Sequence, residues 1–216
     1  VPRSIFNDPF NNSNENYKYI LCMCEVFNID GSPHITNKRN LLLNTLLTIG
    51  EEKIKEYEPL FGIEQEYVIL DKYGNKPYQW NEDINNSSQG KYYCSIGSDR
   101  AFGRKIVMEH MNACLEAGIS ICGINSEVAP SQWEFQIGIC SPFIIGDHLI
   151  MARYILSRIA ELHDVCISYA PKPYGVKWNG SGGHTNFSTR LMRSEGGIEH
   201  IYKAIDKLKE KHSEHM

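Results

Sequence analysis

The chain has 216 residues, 42% of them hydrophobic, with 22 Lys and Arg against 26 Asp and Glu and a formal net charge of −4. That length and apolar fraction suit one ordinary domain, or one domain plus part of another, around a sizeable core. The mild negative charge gives no reason to expect nucleic acid or a membrane surface as partner, and no stretch approaches the roughly 18 uninterrupted apolar residues of a spanning helix. The seven cysteines, at 22, 24, 94, 114, 122, 140 and 166, form no Cys-x-x-Cys pair, which argues against a structural zinc site. Most lie in apolar segments and are expected as small buried thiols in a reducing, cytoplasmic setting. The chain opens on Val1 without an initiator Met and stops at Met216 soon after a periodic segment, so it reads as a piece of a longer protein.

Residues 1–16 are polar and Asn-rich, with Pro2 and Pro9, and are expected as loop or extended chain. Tyr19–Phe27 is a strand candidate ended by the turn formers Asp30-Gly31-Ser32-Pro33. Asn37 is placed to cap a helix with Leu41, Leu42, Leu46 and Leu47 on its apolar face. Phe61–Leu70 reads as a strand and Asp71–Gly74 as a turn. Residues 75–91 are polar, dotted with aromatics and long enough to suggest a functional surface loop. Asp99 is the predicted N-cap of a helix carrying Val107, Met111, Cys114 and Leu115 and ended by Gly118. Strands are expected at Ile119–Glu127 and Gln132–Ile139. A helix opened by Gly146-Asp147 should bury Leu149, Ala152, Leu156, Ile159 and Ala160, and a last helix carries Ile198, Ile201, Tyr202, Ile205 and Leu208. Interspersed strands and helices with room for antiparallel pairing predict an α+β fold.

Three of these segments place polar side chains two residues apart, so that each set shares one face of a strand. Glu64 and Glu66 do so in an otherwise apolar run. Glu134 and Gln136 do so where Trp133, Phe135 and Ile137 take the core face, with Glu127 just ahead. His184, Asn186 and Ser188 do so directly after a loop rich in glycine (Gly180, Gly182, Gly183), a residue that lets backbone approach a ligand closely. Each set alone has an ordinary reading as the wet face of a half-buried sheet. His184 alone would pass for a structural histidine, and the glycine run lacks the Lys-Ser/Thr ending of a P-loop. Taken together the rows point to a site. Four carboxylates crowded in one cavity repel and favour protonation, and two divalent cations would balance them. Oxygen donors with one imidazole suit Mg2+ or Mn2+ better than zinc, and such paired sites serve phosphoryl transfer from nucleotides.

At these residues the chain resembles the glutamine synthetase family, in its eukaryotic-type second class. The resemblance rests on Gly62-Ile-Glu-Gln-Glu-Tyr67, Tyr92–Gly97, Asp99–Arg104, Asn125–Gly138 and Lys172–Ser188, and extends from about Phe6 to the C-terminus. It implies a curved, mainly antiparallel sheet forming a partial barrel with flanking helices. Residues 1–36 would be the last part of a β-grasp domain, and 37–216 a truncated catalytic domain. By position, Glu64 and His184 would ligate the metal that orients the transferred phosphate, and Glu66, Glu127 and Glu134 a second metal on the glutamate side. Glu64, Glu134 and His184 are the implied catalytic residues. Glu134, Gln136, Asn186, Ser188 and Arg193 would contact ATP, and Trp178, Asn179 and Gly180 would hold the amino acid. The implied reaction phosphorylates the γ-carboxylate of L-glutamate with ATP, after which ammonia displaces phosphate to give L-glutamine. The implied assembly is a homodecamer with sites between subunits. Two departures from the family pattern are Leu60, where tryptophan is usual, and Gly183, where a larger residue often precedes the histidine. Several family elements lie outside the sequence: the ammonium-site aspartate loop, the C-terminal phosphate-clamping arginines, the glutamate flap and a further glutamate ligand. This stretch alone is therefore expected not to complete a turnover. The competing expectations are a non-catalytic relative kept for assembly and a related ligase with another acceptor.

Overall fold

The computed structural model describes residues 1–11, 14, 16–83, 87 and 89–215. Residues 12, 13 and 15 of the Asn-rich stretch and 84–86 and 88 of the predicted 75–91 loop lie outside the described residues. The N-terminal segment is extended: β1 (Pro2–Asn7) pairs antiparallel with β2 (Ile20–Cys24) in a two-stranded sheet. Helix α1 (Lys38–Ile49) starts where expected, the Asn37 side chain accepting the Asn40 N–H at 3.2 Å. A short helix, α2 (Glu51–Tyr57), follows and leads into β3 (Leu60–Asp71).

β3 is the spine of a five-stranded antiparallel sheet. After α3 (Arg104–Ala117), the strands β4 (Ile121–Ser126) and β5 (Gln132–Cys140) pair with each other, and β5 lies along one edge of β3. Then come α4 (Ile145–Leu162), β6 (Val165–Ser168), β7 (Gly183–Ser188) and the amphipathic α5 (Ile198–Glu210). β3 is long enough to take two short strands on its other edge, β7 against residues 60–65 and β6 against residues 68–71. Mixed helix and antiparallel sheet is the observed class, and among the described residues the sheet does not close into a barrel.

Strand alternation sets which face is dry. Tyr67 and Ile69 of β3 and Trp133, Phe135 and Ile137 of β5 are buried against Ile106, Val107 and Cys114 of α3 and Ala152, Ile155, Leu156 and Ile159 of α4. Gln65 falls on this dry face too, where its side-chain amide oxygen Oε1 accepts from the Arg153 guanidinium (Nε 2.9 Å). His110 of α3 is fully buried with its Nε2 3.0 Å from the Ala152 carbonyl oxygen; burial pushes its imidazole down to about 4. Among the described residues no helix is long and apolar enough to cross a membrane.

Several local expectations are corrected. Asp99 does not cap α3, because residues 97–101 turn instead, the Ala101 N–H bonding to the Gly97 carbonyl. The helix begins after Gly103, whose φ of +79° is one that a residue with a Cβ rarely adopts, and whose Cβ would press on Ile69. Leu115 of α3 and Leu41 and Leu47 of α1 are exposed, since only Leu46 of α1 reaches the core. The cysteines divide as well. Only Cys114 and Cys140 are buried, while Cys22, Cys24, Cys94 and Cys122 are exposed: Cys94 lies in a turn, and for Cys22, Cys24 and Cys122 an apolar run in a two-faced strand still turns alternate residues outward.

The N-terminal segment is tied to the helices through Asp147, which is buried in α4. Its carboxylate pairs with Arg39 of α1 and accepts the Ser4 hydroxyl of β1. Removing one partner of such a pair leaves the other uncompensated. Asp147→Ala is therefore expected to cost about 3 kcal/mol and lower the melting temperature by about 8 °C. An unchanged melting curve would mean that the pair contributes nothing.

Candidate functional site

The face of the sheet opposite the helices carries the polar rows, and strand register brings them side by side. Glu66 of β3 is directly opposite Glu134 of β5, which in turn faces Asn125 of β4. One pair along, Glu64 lies between Gln136 on one side and His184 on the other, and Gly62 faces Asn186. Directly opposed residues in an antiparallel pair point to the same side. The polar rows of three separate strands thus form one surface.

At its centre the carboxylates of Glu66, Glu127 and Glu134 converge, each offering an oxygen within 4.8 Å of the others. All three are buried. Glu127 joins the group because the chain folds back beyond β4, its N–H bonding to the Gln132 carbonyl at 2.8 Å. Burial pushes the Glu127 carboxyl above its ordinary value, and the charges of Glu66 and Glu134 push it further. Burial likewise raises Glu134; the hydrogen bond from Gln136 opposes this, and Glu64 and Glu66 add to it. Three buried acids held together against their own repulsion form an all-oxygen donor set that fits a hard divalent cation. Glu64 stands beside this triad. Its Oε2 is 3.7 Å from Nδ1 of His184, whose Nε2 is 3.9 Å from Glu66 Oε1, so the ring sits between the two glutamates.

A lattice of neutral donors fixes the acids. Asn186 Nδ2 donates to Glu64 Oε1 at 2.9 Å, and Asn125 Nδ2 to Glu127 Oε1 at 2.9 Å. Gln136 Nε2 donates to Asn125 Oδ1 at 2.6 Å and to Glu134. Glu66 Oε2 receives both Gln132 Nε2 and the Gly182 N–H, each at 3.0 Å. Gln132 also donates to the Gly180 carbonyl at 2.8 Å and accepts Asn179 Nδ2 at 3.3 Å, so the glycine-rich loop is locked to the triad through one amide. Trp178 lies slightly apart, buried edge-on to Trp80 (ring centroids 5.9 Å) in a second aromatic cluster with Tyr92 and Ala129.

Next to the acids, between β3, β5 and β7, runs a mainly apolar cleft of about 330 Å3. Gln136, Asn186, Ser188 and Arg193 all line it, with Glu64 at its acidic end. Arg193 Nη1 donates to the Ser188 hydroxyl at 2.9 Å, which holds the guanidinium at the cleft. The site residues expected from sequence therefore fall into an acid cluster, an adjoining cleft and a loop on the far side of Gln132.

Two contributors went unnoticed in the sequence: Gln132 and Asn125. Gln132 continues the alternating row of Glu134 and Gln136, so the same period marks it. The sequence marks Gly182 only as part of the glycine-rich loop; its own role comes from tertiary approach, since a Cβ there would collide with the His184 ring and come into contact with Glu66. Gly182→Ala is expected to weaken divalent-cation affinity about 10- to 100-fold with little change in melting temperature. A Mn2+ titration checks this, and unchanged affinity would show that the approach is incidental.

The family model for the glutamine synthetase catalytic domain matches residues 38–204. The glutamine synthetase of Agaricus bisporus is 46% identical over 215 residues, and glutamine synthetase cytosolic isozyme 1-1 of Oryza sativa subsp. japonica is 47% identical over the same length. A glutamine synthetase cytosolic isozyme of Daucus carota is 48% identical. Each match covers 100% of this chain but only 58% or 59% of the relative. From its match across the sheet and both core helices, the chain belongs to the glutamine synthetase catalytic-domain family.

Proposed function

We propose that the full-length protein joins ammonia to the γ-carboxylate of L-glutamate, using ATP and passing through γ-glutamyl phosphate. The observation that carries this reading is the convergence of Glu66, Glu127 and Glu134 beside a cleft lined by Gln136, Asn186, Ser188 and Arg193. Glu66, Glu127 and Glu134 would hold one Mg2+ or Mn2+, and Glu64 with His184 a second. When bound, such ions neutralise carboxylate and phosphate charge and orient the phosphoryl group for in-line transfer.

The remaining work falls to the chain's own residues. Gln136, Asn186 and Ser188 would fix the nucleotide in the cleft, with Arg193 compensating its negative charge. Asn179 and Gly180, backed by Trp178, would hold the amino acid where the Gln132 bridge ties the loop to the acids. A carboxylate resists attack by ammonia until it becomes an acyl phosphate, and the first step supplies that activation. Asn186 keeps Glu64, and Gln132 with Gly182 keeps Glu66, at fixed positions, so little reorganisation accompanies the change in charge. The strands would form an arc of the catalytic-domain sheet. Residues 1–36, which contain the separate β1–β2 sheet, would belong to a preceding β-grasp domain. A homo-oligomer, decameric by family, with a cytoplasmic location completes the reading.

The test is glutamine formation by the full-length protein supplied with ATP, Mg2+, glutamate and ammonia. One phosphate released per glutamine is expected, and hydroxylamine should replace ammonia as acceptor. Divalent-cation binding without glutamine formation would contradict the activity and leave an assembly role. Product formed only with another amine or acid would reassign the acceptor.

A further inference from the structure

The exposed thiols of β2 are not used by the reading above. Cys22 and Cys24 are alternate residues of this strand and both are exposed, while Leu21 and Met23 turn the other way and pack on the core. Their Sγ atoms are 4.0 Å apart. Two thiolates on one tetrahedral ion, with metal–sulfur bonds of about 2.3 Å, stand about 3.8 Å apart. The strand therefore already holds its sulfurs at chelating distance. Pairing with β1, Cys22 opposite Ile5 and Cys24 opposite Pro2, fixes both backbones, so little ordering accompanies capture of an ion.

We propose that Cys22 and Cys24 form a surface dithiol site for a soft, thiophilic cation of the Zn2+ or Cu+ class. On binding a divalent ion the two thiols release two protons to solvent and two metal–sulfur bonds form, with the remaining coordination positions facing water. Ligand chemistry separates this site from the carboxylate triad: thiolate sulfur selects soft ions, whereas carboxylate oxygen favours Mg2+ or Mn2+. The Cys22 thiol is pushed above its ordinary value, by desolvation first and then by the hydrogen bond and charge of Cys24. A cation between the sulfurs offsets the second of these.

The experiment titrates the reduced, full-length protein with Cd2+ in excess Mg2+, which keeps the carboxylates occupied. It reads the ultraviolet charge-transfer absorption of cadmium–thiolate bonds. A stoichiometric band is expected that weakens at least about tenfold in apparent affinity in Cys22→Ser and in Cys24→Ser, because a one-sulfur site loses the chelate. Cys94→Ser and Cys122→Ser, which alter the other exposed thiols, should leave it unchanged. Absence of the band, its survival in Cys22→Ser or Cys24→Ser, or its loss in Cys94→Ser or Cys122→Ser would overturn the proposal.

Discussion

Replacing Glu134 by glutamine is expected to lower turnover of the full-length protein about a thousandfold, while the metal-free protein melts at the same temperature or higher. The two effects separate because Glu134 is held where its charge is unfavourable. Burial raises its carboxyl above the ordinary value, and Glu64 and Glu66 repel it. Glutamine removes that charge, keeps the shape and still presents an oxygen to the Gln136 amide. A residue kept for structure would lose stability and activity together. Steady-state phosphate release, set beside thermal melting in a chelator, distinguishes the two outcomes. Equal losses in both would assign Glu134 to the scaffold.

The second large effect is a stabilisation by Mg2+ that grows with pH. In the folded, metal-free protein Glu127 and Glu134 titrate above their ordinary value of 4.5. Their contribution to stability is therefore full below that value and is lost as pH rises through the raised ones. A bound cation removes the repulsion, so its stabilisation is small near pH 4.5 and largest near neutrality, about 2.7 kcal/mol per site at a hundredfold excess over Kd. His110 runs the other way. Its folded value of about 4 lies below the ordinary 6.5, so its contribution is full above 6.5 and falls as pH drops towards 4. That loss, about 3 kcal/mol, does not depend on metal. Denaturant unfolding with and without Mg2+ between pH 4.5 and 7.5 separates the two. A Mg2+ increment that is flat with pH would mean that the raised carboxylates do not bind it.

The parts legible in the sequence were those set by short-range periodicity. Alternation in β5 marked both Trp133, Phe135 and Ile137 for the core and Glu134 and Gln136 for the opposite face. Asn37 announced α1 through its capping chemistry. Register and long-range approach were not legible. No local pattern states that Glu66 pairs with Glu134 and not with a residue one step along, although a single slip would turn the whole row over. Glu127 lies beyond the end of β4 and reaches the triad only through the fold of residues 127–132. Gly182 acts through space, by letting His184 and Glu66 close on it. Asp99 misled because a good capping residue is common in turns too, and there the left-handed backbone at Gly103 set the helix start. The short β6 and α2 gave too few residues for a period to show.

The central claim is that Glu66, Glu127 and Glu134 bind one ion in common, and crystallography of the protein grown with Mn2+ tests it most directly through anomalous scattering. The account predicts a peak at bonding distance from an oxygen of all three carboxylates, lost in Glu134→Gln crystals. A peak that avoids the triad, or none at saturating Mn2+, would contradict it.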